Sequence, residues 1–156
     1  MAFKLSQRSL DRLMGVDERL VEITKKAIEL TPIDFGVTCG LRDIETQKKL
    51  VAAGKSQTMK SKHIEGLAVD VVCYVAGEVC WESNVYDDVA DAFKKSADDL
   101  GVKGLRWGAA WHIPSICEYP GTMENAMMEY IDLRRSQGRR PFIDAPHFEL
   151  NDVWDK

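Results

Sequence analysis

Two short stretches far apart in the chain carry residue types from which a metal site can be built. Residues 61–72 read Ser-Lys-His-Ile-Glu-Gly-Leu-Ala-Val-Asp-Val-Val, and residues 144–150 read Asp-Ala-Pro-His-Phe-Glu-Leu. In the first, His63 precedes a glycine turn at Gly66, and Asp70 lies in a β-branched run that predicts a strand. Leu67, Val69 and Val71 then share one face of that strand, and Ala68, Asp70 and Val72 share the other. An unpaired carboxylate inside a sheet is costly, so Asp70 requires a cationic side chain or a metal. In the second stretch His147 and Glu149 project to one face of a short strand, with Phe148 and Leu150 turned to the core. Pro146 marks an edge or a strand start. Asp144, three residues before His147, is close enough to approach the same metal. Two neutral imidazoles and one carboxylate suit zinc, and three protein ligands leave the fourth position that catalysis needs.

These residues require a scaffold. Leu5 and Ser6 open a short helix with Ser6 or Ser9 as N-cap and Leu10, Leu13 and Met14 on one side, ending near Gly15. Asp17 caps a longer helix. Its Leu20, Val21, Ile23, Ala27 and Ile28 form one apolar stripe opposite Glu18, Glu22, Lys25 and Glu29. Thr31-Pro32 ends that helix, and residues 35–39 read as a strand that stops at Gly40 and delivers Arg42 to a strand-to-helix junction. Asp43 caps the next helix, Ile44 to Ala53, with Ile44, Gln47, Leu50 and Val51 toward the body and Gly54 as its stop. Lys55 to Lys62 is a polar loop in which Ser61 either orients the loop or a ligand, or is a plain turn serine.

Beyond the strand to Val75, Gly77 turns the chain, and Glu78 to Trp81 returns as a second strand. Tyr86 to Leu100 reads as a helix with Val89, Ala90, Phe93, Ala97 and Leu100 inward, closed by Gly101. Leu105 to Gly108 is a strand running into a loop, where Trp107 and Trp111 are candidate cleft walls. His112 fits no position of the zinc pattern and reads as a loop or interaction residue. Thr122 to Ser136 is a helix with Met123, Ala126, Met127, Tyr130, Ile131 and Leu133 on a broad apolar side. The elements add up to an α+β fold: a small, mostly antiparallel sheet carrying the zinc site, with helices packed on it.

The chain has 156 residues and is 45% hydrophobic, enough for one core and short for two, so residues 1–156 are expected to form a single domain. Its 21 Lys and Arg against 25 Asp and Glu give a net charge of −4 and a pI near 5.4. That balance argues against nucleic-acid binding, which leaves a basic footprint. The four cysteines, Cys39, Cys73, Cys80 and Cys117, contain no Cys-x-x-Cys pair and read as reduced, mostly buried thiols. Cys73 and Cys80 form the best disulfide candidate, facing each other across a hairpin. The N-terminus has no apolar stretch of signal-peptide length, and no run reaches the ~20 residues of a membrane span. The product is therefore expected to be cytoplasmic as synthesised, with no membrane insertion, and a monomer.

The run Ser61-x-His63-x-x-Gly66-x-Ala68-x-Asp70, followed by Asp144-x-x-His147-x-Glu149, resembles the D-Ala-D-Ala carboxypeptidase-like zinc peptidases. Within them it is most similar to the phage L-alanyl-D-glutamate endopeptidases, endolysins that cut the stem peptide of peptidoglycan. The resemblance extends to Leu5-Ser6-x-x-Ser9-Leu10, Gly40-Leu41-Arg42 with Gln47, the loop Ala53-Gly54-Lys55-Ser56-Gln57-Thr58, and Arg106-Trp107-Gly108. It implies that His63, Asp70 and His147 hold Zn2+, that Asp144 is the general base, and that Glu149 is a partner behind the ligands. It also implies that Arg42 faces the substrate carbonyl or carboxylate, a task that suits a planar guanidinium. The implied partner is the peptidoglycan stem peptide, reached from the host cytoplasm with the help of a holin. Where relatives read Trp-Gly-Gly-Asp-Trp, this chain has Trp107-Gly108-Ala109-Ala110-Trp111, so an acidic side chain is expected to be missing beside the cleft.

A lone His-x-Glu is a weak signal, and its specificity comes from the combination with His63, the Gly66-x-Ala68 spacing, Asp70 and Asp144. The alternatives are a D-Ala-D-Ala carboxypeptidase using the same site and a non-catalytic wall-binding or virion module that retains the zinc. A zinc that only staples the fold is disfavoured, because such sites use cysteine and close with four protein ligands. Arg134, Arg135, Arg139 and Arg140 read first as charge at a helix C-terminus and second as a wall-binding patch.

Overall fold

The computed structural model describes residues 3–56 and 61–151. Helix α1 (Gln7–Arg12) starts at Ser6, whose hydroxyl accepts the Ser9 N–H, and α2 (Glu18–Leu30) starts at Asp17, whose carboxylate accepts the Arg19 N–H. Such caps satisfy amide groups that the first helical turn leaves unpaired. Strand β1 (Asp34–Cys39) leads through Arg42 into α3 (Ile44–Ala52), capped by Asp43. The strands β2 (Ala68–Val75) and β3 (Glu78–Cys80) form a hairpin turned at Ala76 and Gly77, both with positive φ. Helix α4 (Ser83–Leu100), β4 (Leu105–Trp107), a 3-10 turn (Ile116–Glu118), α5 (Met123–Ser136) and β5 (His147–Leu150) complete the order.

All strand pairs are antiparallel, in the order β1-β2-β5-β4, with β3 pairing the far end of β2. The fold is α+β, as expected from the sequence. Helix α4 lies on one face of the sheet, where Phe93 stacks on Phe148 of β5 at 4.0 Å between ring centres and meets Phe35 of β1 at 5.5 Å. Helix α2 packs against α4, joined to it by the Ser96 hydroxyl, which donates to the Ile23 carbonyl at 2.7 Å. Helix α4 thus occupies the face that Phe148 enters. Because side chains alternate along a strand, His147 and Glu149 emerge on the opposite face.

Several sequence expectations change. Met14 is 74% exposed and Ile44 55% exposed, although both fall on predicted apolar faces; of α3 only Gln47 is fully buried. Leu133 is also exposed. A helical stripe marks what can be buried, and a short helix at the periphery has too little neighbouring surface to bury all of it. Cys73 and Cys80 are cross-strand partners as anticipated, and all four cysteines carry free thiols. The Tyr86 hydroxyl accepts the Cys73 N–H and donates to the Cys80 carbonyl, tying α4 to the hairpin. Gln57 and Thr58 of the polar loop lie outside the described residues.

Candidate functional site

The antiparallel register of β2 and β5 sets Asp70 directly opposite His147. Nδ1 of His147 lies 3.0 Å from one Asp70 carboxylate oxygen, and Nε2 of His63 lies 3.2 Å from the other. The two rings are 5.2 Å apart. His63 arrives on a tight turn whose residue Gly66 has φ +71°, a conformation that glycine tolerates without strain. The Ser61 hydroxyl accepts the His63 N–H, and the His63 carbonyl accepts the Arg42 N–H at 2.9 Å, so the turn is pinned on both sides.

The remaining ring nitrogens decide what the site can hold. Nδ1 of His63 is 2.8 Å from the Gly40 carbonyl, which only accepts, so this nitrogen is the N–H donor in the neutral ring. Nε2 of His147 is 2.8 Å from Glu149 and donates in the same way. Each imidazole therefore turns its lone pair toward Asp70, and each is fixed from behind by an oxygen acceptor, as metal-binding histidines commonly are. Donor atoms of Asp70, Asp144 and His147 lie within 4.8 Å of one another. The donor chemistry fits zinc.

Cys39 was not anticipated. It stands opposite Asp70 just after an irregularity in the β1–β2 register, and its sulfur, His63 and Asp70 form a second group with donor atoms within 4.8 Å. A bulge of this kind re-aims a side chain that regular alternation would place elsewhere. The sulfur sits 3.6 Å from Nδ1 of His63, the nitrogen facing away from Asp70, and accepts a hydrogen bond from Arg42 Nη2 at 3.2 Å. It thus supports His63 and Arg42 from behind. Its only sequence signal is its place immediately before Gly40-Leu41-Arg42. Arg42 is also held by Gln47, which accepts from Nη1 at 2.7 Å and is completely buried, and Nη2 lies 3.9 Å from Asp70.

Asp144 reaches the site through close backbone packing. Its N–H donates to the Gly108 carbonyl at 2.7 Å, its carbonyl accepts the His147 N–H at 3.0 Å, and the Gly108 N–H donates to the His147 carbonyl at 2.8 Å. A Cβ on Gly108 would fall 2.1 Å from the Asp144 carbonyl oxygen. Gly108→Ala is therefore expected to cost about 1–3 kcal/mol of stability and to displace Asp144. Thermal unfolding and turnover measure the two effects; unchanged values of both would refute this reading of the glycine. Burial raises the Asp144 carboxyl pKa and the nearby Asp70 charge adds to this, with the two histidines and Arg42 in partial opposition.

Trp107 does not wall the cleft. It is fully buried, with its indole N–H on the Ala145 carbonyl at 2.7 Å. Trp111 does stand at the site, its ring 5.6 Å from that of His147 and stacked on Phe142. Ala109 and Ala110 are completely buried, so the departure from Gly-Asp changes packed interior rather than an open cleft wall. His112 lies away from the donor cluster, 3.1 Å from Glu129 and stacked on Tyr130.

In the metal-free protein, protons take the place of a cation. Burial opposes charge on both rings, but hydrogen bonds to Asp70, helped by Cys39 at His63 and by Glu149 at His147, outweigh it. The pKa of His63 is raised to about 10 and that of His147 to about 9. Burial acts against Asp70 as well, yet its bonds to both histidines hold its carboxyl well below the usual range. Metal must displace these protons, so affinity for zinc is expected to rise with pH from neutrality toward 9, by about tenfold per pH unit for each proton released. Titration with zinc at several pH values, in buffers of different protonation enthalpy, measures this. An affinity independent of pH would refute it.

The fold and site together define a class: an antiparallel sheet in which neighbouring strands set Asp70 opposite His147, with His63 on the turn before β2 and Asp144 and Arg42 beside them. The chain belongs to the phage L-alanyl-D-glutamate peptidase family, whose model matches residues 1–151. It is 34% identical over 154 residues to the L-alanyl-D-glutamate peptidase of Escherichia phage T5, an alignment covering 96% of this chain and 99% of that protein. Among solved structures it is similar to the Serratia marcescens L-Ala D-Glu endopeptidase ChiX, with a TM-score of 0.73 and 30% identity. That match covers 99% of this chain and 94% of the other.

Proposed function

We propose that this chain is a zinc-dependent peptidoglycan endopeptidase that hydrolyses the L-alanyl-D-glutamate bond of the stem peptide. The observation that carries this reading is the convergence of Nε2 of His63 and Nδ1 of His147 on Asp70, each ring fixed from behind, in a chain of this family. His63, Asp70 and His147 would hold the metal. Zinc held there supplies Lewis acidity, lowering the pKa of a water toward ~7 and polarising the scissile carbonyl. Asp144, with its raised pKa, takes the proton of the attacking water and returns it to the leaving amine. Arg42, anchored by Gln47 and Cys39, faces the negative charge that develops on the carbonyl oxygen. Ser61 and Glu149 keep the histidines oriented.

The same reading makes the chain an endolysin with one catalytic domain, synthesised in the cytoplasm and acting as a monomer on the wall. No helix among the described residues is long and apolar enough to cross a membrane. Digestion of purified sacculi followed by mass spectrometry of the new termini tests the function. Release of D-glutamate amino termini, abolished by chelation and restored by zinc, is expected. Removal of terminal D-alanine alone would make the protein a carboxypeptidase, and a zinc-loaded protein releasing nothing would make it a binding module.

A further inference from the structure

The register of β4 and β5 places Arg106 opposite Glu149, on the same face of the sheet as His147. Nη1 of Arg106 lies 3.7 Å from one Glu149 oxygen, while the other Glu149 oxygen is 2.8 Å from Nε2 of His147. Nη2 of Arg106 donates to the Trp111 carbonyl at 2.7 Å, and the guanidinium carbon lies 5.2 Å from the centre of the Trp111 ring. That ring in turn stands 5.6 Å from His147. The contacts close a circuit: His147 to Glu149, Glu149 to Arg106, Arg106 to Trp111, and Trp111 back to His147.

We propose that Arg106 is a positioning residue of the metal centre, which holds Glu149 on His147 and Trp111 against the His147 ring so that Nδ1 stays aimed at Asp70. The proposal rests on the zinc reading above. A buried carboxylate gripped by one oxygen can still rotate; gripped by both, it is fixed, and so is the imidazole N–H that donates to it. Rotation of the ring would carry Nδ1 off the metal position, and Trp111 packs beside that ring. Arginine suits the task because its planar fork reaches two separate acceptors at once, which the single ammonium of lysine does less well.

The test measures zinc affinity of the metal-free protein by competition with a chelating indicator, at a temperature where circular dichroism shows every variant folded. Glu149→Gln should weaken zinc about 10–100-fold, and Arg106→Ala about tenfold, because the arginine acts through the glutamate. The double variant should lose less than the product of the two single losses, since two residues that share a contact are not additive. Arg106→Lys should fall between wild type and Arg106→Ala, and it supplies the reading by itself if the alanine variant does not fold. Wild-type affinity in whichever of these two arginine variants is read, or losses that multiply in the double variant, would overturn the proposal. A wild-type protein that takes up no zinc would instead overturn the zinc reading. A purely structural arginine would lower the melting temperature and leave zinc affinity of the folded protein unchanged.

Discussion

Asp144→Asn should leave the protein folded and able to take up zinc while lowering turnover by about 10²–10⁴-fold, the usual contribution of a positioned acid or base. The substitution preserves side-chain shape, and the backbone bonds of residue 144 to Gly108 and His147 do not depend on the carboxylate. In the proposed mechanism, what it removes is the proton acceptor. Burial and the neighbouring Asp70 charge raise the pKa of Asp144. Zinc stoichiometry, circular dichroism and wall hydrolysis, measured on one preparation, separate the possibilities. Full turnover in the folded, zinc-loaded variant would remove Asp144 from the chemistry.

The larger loss should come from His63→Ala. His63 is only 3% exposed and in the proposed site would supply one of the two imidazole lone pairs, so its removal should weaken zinc by more than about 100-fold, beyond the 10–100-fold associated with residues behind the ligands. Hydrolysis should then fall to background. Chelation of the wild type should give the same inactive state, with added zinc restoring the wild type and not the variant. The chelated protein should keep its helical dichroism, because the aromatic core between α4 and the sheet lies on the face away from the site. Loss of the fold on chelation would point to a structural metal. Full activity of the chelated protein would end the metallopeptidase reading.

Much of the site's composition was legible in the sequence. The period-two alternation around Asp70 and around His147 placed both on strand faces, and the spacing from His63 to Gly66 signalled the turn that delivers the second ring. The caps at Ser6, Asp17 and Asp43 marked helix starts that the structure reproduces. Cys39 escaped because its aim depends on a local irregularity in β1. Arg106 was visible as part of a motif but had no task until its cross-strand partner was known. Trp107 and Trp111 are equivalent as residue types, and only the packing of Phe148 against Trp107 makes one of them core.

Residue types and local periodicity thus determined which elements form and which side chains can donate to a metal, since both follow from interactions within a few residues along the chain. Tertiary structure decided that Asp70 faces His147 across two strands, which nitrogen of each imidazole faces Asp70, and that both oxygens of Glu149 have a partner. Those choices depend on strand register and on the turn before β2 that carries His63. Both are set by contacts between residues tens of positions apart, where sequence spacing no longer dictates distance.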